Sequence, residues 1–483
     1  MGSLMRAHRC SAFGAAPGAT RRALVVTLCA FLVASCEETV APAAPSEVLT
    51  VAIDTTLMPL VRRVTVVMRA AGPATVTWGA AGTPVLSLTA DSAAFVHQFL
   101  VPRLRQARTY VVEASAPGST RAPVRATFVT DSLPPVLRSI RINRTGTPSL
   151  PVALLEVVGA TQFGGLLMIE DGEIVGWLPL VGSLFGATRR ANGEITMLDA
   201  ALGLTSYRLD GTLAHRLPQP TTPAPTIYGR IHHDVVATSQ NTLLFIANDT
   251  RVLGVETVVG EALWEWTPET GTVRKRWSAF DFLDWNVLRG SRSVPGNWLH
   301  GNGLSFGPRG NVIMSLRNAN QVISIAPDFA TVEWSLGGPN GTLAIADSNR
   351  FWGQHYVSEP AAGRVLVFDN GFDRPGAAFS RAIEYQVSTT SNTAVKVWEY
   401  RDSPDIYASL VGSARRLPNG NTAILFGMLA GQNSSTGPIT AVEVSPAGAP
   451  VWRLTFGPEL TRLYRITPVA SLAGEVSGVF RGR

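Results

Sequence analysis

Apolar and polar residues alternate over short stretches of this chain, as in Val64-Thr-Val-Val-Met68, Ala74-Thr-Val-Thr-Trp78 and Thr109-Tyr-Val-Val-Glu113. A period of two puts one set of side chains on a buried face and the other in water, which predicts half-buried strands. Turn-rich segments separate these strands at intervals suited to a β-sandwich. Residues 47–135 are therefore expected to form a small β-sandwich that ends at Ser132-Leu-Pro-Pro135.

From about residue 148 to 483 the pattern becomes short strands joined by tight turns. The turns are Ala191-Asn-Gly193, Leu209-Asp-Gly211, Glu269-Thr-Gly271, Arg309-Gly-Asn311, Pro418-Asn-Gly420-Asn421 and Ala447-Gly448. Each supplies an Asn, Asp or Gly able to take positive φ in a hairpin. Strands such as Val312-Ile-Met-Ser315, Val322-Ile-Ser-Ile325, Val365-Leu-Val-Phe368 and Thr422-Ala-Ile-Leu-Phe426 flank them. Trp266, Trp277, Trp334, Trp398 and Trp452 recur in or near such strands, a pattern of aromatic packing between sheets. The expected fold is all-β: a six-bladed β-propeller behind the sandwich, with seven blades or a long parallel β-helix as alternatives.

Composition agrees with this reading. With 45 Gly, 32 Pro and 16% charged residues, short strands and turns are favoured over long helices. The net charge of +6 is concentrated in a leader: Arg6, Arg9, Arg21 and Arg22 fall in the first 35 residues, which hold no acids. Without them 37 basic residues face 35 acidic ones, so no basic stripe for nucleic acid is expected.

Arg21-Arg22, the apolar run Ala23–Val33 and then Ala34-Ser35-Cys36 read as an export signal over residues 1–36. Val33-Ala-Ser-Cys36 resembles a bacterial lipobox, which implies lipidation at Cys36, a cell-envelope location and a membrane contact through that anchor alone. Residues 37–46 form an Ala-Pro-rich tether. All three cysteines (Cys10, Cys29, Cys36) lie in the leader, so the mature chain has no disulfide, cysteine zinc site or thiol nucleophile. Trp78, and Leu104 six residues before Tyr110, resemble the core tryptophan and tyrosine corner of a fibronectin type III module, which is more often a spacer or packing partner than a catalyst.

Four of the seven histidines fall in polar motifs between residues 232 and 355: Ile231-His-His-Asp234, Trp298-Leu-His300-Gly-Asn302 and Trp352-Gly-Gln-His355. Intervals of 67 and 55 residues suit one visit per blade, so the imidazoles can meet in a central channel. His232 and His233 point to opposite faces if extended, so one of them lines the channel, and Asp234 could orient a ring. His300 and Asn302 face the same side if extended. His215 and His97 have no supporting motif. Phe280–Gly296 is an irregular insertion, a candidate lid or rim loop.

These motifs, with Ser315-Leu-Arg317-Asn, Val332-Glu-Trp334-Ser-Leu-Gly337, Val367-Phe-Asp-Asn-Gly371, Ser380-Arg-Ala-Ile-Glu-Tyr385, Val397-Trp-Glu-Tyr400, Leu417-Pro-Asn-Gly-Asn421 and Tyr464-Arg465, form an ordered set. The set resembles the bacterial arylsulfotransferases that work without nucleotide-activated sulfate. The resemblance implies that His355 is the nucleophile and passes through a sulfohistidine. It implies that Arg317, His300 and Asn302 bind the sulfuryl group, and that His232 or His233 is a sulfate-binding or acid–base residue. It also implies a small aryl sulfate donor, a phenol acceptor and a ping-pong cycle in which a histidine gives the departing phenol its proton. No metal or cofactor is expected. Two other readings keep the fold: a surface-tethered binding propeller, and a metalloenzyme ligated by the histidines.

Overall fold

The computed structural model describes residues 46–80, 85–159, 163–180, 182–220, 227–290 and 292–472. The signal segment, the lipidation site at Cys36 and all of the tether before Ser46 lie outside these residues.

Among the described residues, six antiparallel sheets follow one another after the first module. Blade one joins Val152–Val157, Gly165–Glu170 and Glu173–Pro179 to the C-terminal strand Leu463–Val469, which is its innermost member. Blades two to five are each four consecutive strands, starting at Leu184–Arg189, Ile231–Ala237, Gly301–Phe306 and Val357–Ala361. Blade six runs from Ser413–Arg416 to Pro450–Phe456 and takes Ile142–Gly146 on its outer edge. Each innermost strand packs against the next, and that of blade one against that of blade two. Pairing of the last strand with Val152–Val157 thus ties the C-terminal end of the ring to its start.

Packing explains why propeller strands lack the alternation of the first module. Val152–Val157, Val312–Leu316 and Thr422–Phe426 are buried at every position. Both of their faces are covered, because neighbouring residues join different inter-blade cores. Leu154 packs with Leu184 and Met197 of blade two, whereas Leu155 joins the core shared with Leu425 and Leu454 of blade six. The expected tryptophans serve these cores: Trp266, Trp277, Trp334 and Trp452 are buried, and Trp398 is half-buried. Burying one such side chain stabilises the fold by about 1.5–3 kcal/mol. The glycines of all six expected turns (193, 211, 271, 310, 420 and 448) take positive φ, as hairpin turns require.

The first module has five strands in one continuous sheet: Val48–Thr55, Arg62–Ala80, Leu86–Val101, Thr109–Ser115 and Val124–Val129. Arg62–Ala80 alternates buried and half-exposed positions on either side of a register break around Gly72. Its first half pairs with Val48–Thr55 and its second with Thr109–Ser115, so one long strand serves both halves of the module. Trp78 is buried, and the Tyr110 hydroxyl accepts from the Arg105 N–H at 2.8 Å, a corner contact of the expected kind. Met58 and Val61 join the core between blades one and two, and Arg63 pairs with Asp210 at 2.8 Å. The module is thus packed onto the propeller.

Candidate active site

The chemistry-bearing residues share one address in every blade. Tyr464, Phe185, His232 with His233, His300, His355 and Val411 all lie at or just before the first residues of the innermost strands. Repetition of the blade therefore brings residues far apart in sequence to one end of the channel. The His233 and His300 rings are 4.5 Å apart, Phe185 is 5.8 Å from His233 and 5.5 Å from Tyr464, and Tyr464 is 6.3 Å from His355. The opposite ends of the same strands line a separate cavity of 830 Å³ that includes Arg189, Ala237, Phe306 and Arg415.

His355 is buried, and both of its ring nitrogens are engaged. Nδ1 is 2.7 Å from Asn370 Oδ1. The orientation of that amide is settled by its other end, because Asn370 Nδ2 donates to the carbonyls of Ala408 and Val411 at 2.7 and 2.8 Å. Nδ1 must therefore carry the hydrogen, and Nε2 keeps its lone pair. The Val411 N–H donates to Nε2 at 3.1 Å. Burial, then the positive charge of Arg317, holds the His355 pKa well below its ordinary 6.5, although the Asn370 contact opposes this. The ring is neutral at pH 7, in the tautomer that leaves the lone pair on Nε2.

Arg317 follows the strand Val312–Leu316, opposite His300, whose carbonyl accepts from the Arg317 N–H at 3.2 Å. The residue is 6% exposed, and Nε is buried without a partner. Among the described residues its guanidinium has no ion-pair or hydrogen-bond partner. Desolvation, then the neighbouring Arg292, brings it from 12.5 to about 10. The nearby carboxylate of Asp373 is already taken by Arg292, at 2.8 Å. Phe372 packs against both guanidinia, 3.3 Å from Arg292 and 5.4 Å from Arg317. Burial followed by Arg317 also draws His300 down to about 3. His233 lies well below its usual value through burial, then His300 and His232. The arrangement is one uncompensated cation among neutral imidazoles, a setting for a bound anion.

The family model for Arylsulfotransferase (ASST) matches residues 165–456. The chain belongs to the arylsulfotransferase family. Membership points to aryl sulfotransferase activity on small aryl sulfates and phenols. No curated protein matches the chain. Among solved structures, it is similar to the streptogramin B lyase structure at 10% identity and TM-score 0.35, covering 85% of this chain and 98% of that one. Virginiamycin B lyase from Staphylococcus aureus aligns at 9% identity and TM-score 0.30, over 66% of this chain and 74% of that one. A quinonprotein alcohol dehydrogenase-like protein from Bacteroides thetaiotaomicron aligns at 8% identity and TM-score 0.33, over 86% and 95% respectively.

The structure corrects three readings of the motifs. His300 and Asn302 do not alternate as on a strand. His300 has φ +54°, and the register slips between Gly301 and Gly303. His300 therefore meets His233, while Asn302 is buried with its Nδ2 on the Gln354 carbonyl at 2.9 Å. His232 and His233 do not face opposite sides either. His233 has φ +61°, and the two Nδ1 atoms share a hydrogen bond at 2.8 Å. His233 is the one against His300. Asp234 orients no imidazole. It is fully buried and pairs with Arg465 at 2.7 and 2.9 Å, while accepting from the N–H groups of Val235 and Leu304.

Several contributors carried no separate signal. Asn370 sits in a stretch that also reads as a turn, and Glu261 lies mid-strand, yet its carboxylate accepts from the Gly301 N–H at 2.9 Å and so supports the His300 bend. Burial raises Glu261 to about 7. Phe280–Gly296 is anchored, since Trp285 and Leu288 are buried and Arg292 reaches Asp373. His97 is bonded to the Gly72 carbonyl at 2.7 Å, and His215 lies near Glu194, both away from the site.

Proposed function

We propose that the chain moves a sulfuryl group from an aryl sulfate to a phenol in two displacements through a sulfohistidine at His355, independently of nucleotide-activated sulfate. The observation that carries this reading is Arg317, a buried residue whose guanidinium has no ion-pair partner among the described residues and stands beside neutral imidazoles. Removing a charge from water without a partner is costly, and a sulfate monoester supplies the partner that the planar fork fits.

The His355 Nε2 lone pair attacks sulfur, the S–O(aryl) bond breaks, and its electron pair leaves on the aryl oxide. Nδ1 keeps its hydrogen on Asn370, which supports the positive ring of the intermediate. The aryl oxide leaves and takes a proton from solvent. The acceptor enters as the phenolate, its proton given to solvent, and attacks sulfur while the S–N bond returns its pair to Nε2, so the two solvent protons cancel over the cycle. With basicities this low, His300 and His233 act as neutral N–H donors to oxygen rather than as imidazolium acids, a role that depressed histidines can fill. Arg317 grips the sulfuryl oxygens, and catalysis is largely positioning and charge stabilisation. Asn302 acts by holding Gln354, and with it the approach to His355.

The test is turnover of a chromogenic aryl sulfate with varied phenol. Parallel double-reciprocal lines are expected, with release that depends on phenol and not on an added nucleotide. Intersecting lines, or no release from any aryl sulfate, would overturn the proposal. We also place the protein at the cell envelope through lipid on Cys36. Labelled palmitate should enter the wild type and not Cys36→Ala.

A further inference from the structure

We infer that the main-chain N–H of Val411 is a catalytic donor, one that holds the His355 lone pair at rest and passes to a sulfuryl oxygen once the S–N bond forms. The inference rests on the sulfohistidine reading of the site. Its observation is independent of the motifs, since nothing in the side chain of Val411 advertises a role.

The geometry is over-determined. Val411 has φ +54°, a region that β-branched residues rarely occupy, and is followed by Gly412 at φ +97°. Three hydrogen bonds hold this strained pair. The Val411 carbonyl accepts from Asn370 Nδ2 at 2.8 Å, the Gly412 N–H donates to the Tyr464 carbonyl at 3.0 Å, and the Val411 N–H donates to His355 Nε2 at 3.1 Å. One short segment thus grips both ring nitrogens, Nδ1 through Asn370 and Nε2 directly. Strain maintained in this way at a reactive group points to a task.

The task follows from electron counting. At rest the Nε2 pair is shared with a hydrogen and cannot attack anything. When sulfur approaches, the pair becomes the S–N bond and the aryl oxide leaves with the S–O pair. The Val411 N–H then has lost its acceptor. The nearest replacement is an oxygen on the sulfur now bonded to Nε2. A dipole already beside the reacting nitrogen needs only a small shift off the lone-pair axis to meet the growing charge, which makes it close kin to an oxyanion-hole donor. Arg317 and the Val411 N–H thus divide the sulfuryl oxygens between them.

Replacing the Val411 amide by an ester, with the α-hydroxy analogue of valine incorporated into the full chain, removes the donor and keeps the side chain. Two roles then predict opposite results. A catalytic donor predicts that kcat falls by about 10²–10³-fold, as when one oxyanion-hole donor is lost, with KM for the aryl sulfate little changed. An N–H that only masks the nucleophile predicts a kcat at or above wild type, which would overturn the inference. A second measurement needs no variant. In 15N-labelled wild type, a coupling across the hydrogen bond should link Val411 N to His355 Nε2. On sulfation without acceptor it should vanish while the amide proton stays protected from exchange. A proton that becomes exposed on sulfation refutes the transfer. If the wild type gains no sulfuryl mass on His355, the reading of the site fails and this inference with it. A sulfated wild type with an equally fast ester variant sinks the inference alone.

Discussion

Replacing Arg317 by methionine should make the protein more stable and far less active. Arg317 is 6% exposed as a residue, its Nε is buried without a partner, and the guanidinium has no ion-pair partner among the described residues. Its descent from 12.5 to about 10, through desolvation and then Arg292, corresponds to a charge that folding disfavours. At about 1.4 kcal/mol for each tenfold change in acidity, that is about 3 kcal/mol. For a base with a lowered folded pKa, this cost is present at every pH below the folded value. Methionine keeps much of the apolar stem and removes the charge, so urea unfolding at pH 7 should show a gain of about 1–3 kcal/mol. Turnover should fall by about 10²–10³-fold as the grip on the sulfuryl oxygens is lost. Sulfate should raise the Tm of the wild type through preferential binding to the folded state, and not that of the variant. An arginine held for structural reasons would give the reverse. If Arg317→Met is less stable than wild type, or equally active, the reasoning about an uncompensated cation is wrong.

Three other outcomes follow from the same geometry. Asn370→Ala strands the His355 Nδ1–H and the Val411 carbonyl, while Ala408 keeps its bond from Ser380 Oγ. At about 1–3 kcal/mol per orphaned group, denaturation should show a loss of several kcal/mol. The kcat should drop further, and ring 15N shifts should report a mixture of tautomers. Asp234→Asn breaks the buried pair with Arg465 and should cost about 3–5 kcal/mol in urea, more than a double variant that replaces both with apolar residues. Acid should destabilise the fold through the histidines. His300 and His232 are drawn down to about 3 and about 4, chiefly by burial, and His233 and His355 lie well below 6.5. As pH falls from 6.5 towards 4, the unfolded chain binds protons that these rings refuse, and stability drops by about 1.4 kcal/mol per pH unit for each. Burial raises Glu156 and Glu261 to about 7, and they act with the opposite sign: their contribution is present below 4.5 and is lost as pH rises towards 7. Four rings outweigh two carboxyls, so denaturation midpoints should fall between pH 6.5 and 4.5, and less steeply in His300→Gln.

The turns and strand-rich pattern were legible because they are local: an Asn-Gly or Asp-Gly pair asks for positive φ whatever surrounds it. The grouping of His233, His300, His355 and Arg317 was legible through motif order and blade spacing. What period-two reasoning misplaced was Asn302 and the His232–His233 pair. There the chain leaves the strand conformation at His233 and His300, and a tertiary bend decides which way each ring points. Asp234 misled for another reason. Its neighbour in sequence is a histidine, but its partner, Arg465, lies 231 residues away on the strand that completes blade one. Asn370 stands in the stretch Val367–Gly371, but nothing local says that its amide faces His355, and the Val411 amide leaves no mark in side-chain chemistry because it works through the backbone.

The central claim is that His355 itself carries the sulfuryl group, and intact mass reads this directly. The full chain is mixed with an aryl sulfate in the absence of phenol, quenched and weighed, then fragmented. The account predicts one sulfuryl adduct per chain, located on His355, absent from His355→Ala and discharged when phenol is added. Turnover at full rate with no adduct, or an adduct on another residue, would contradict it.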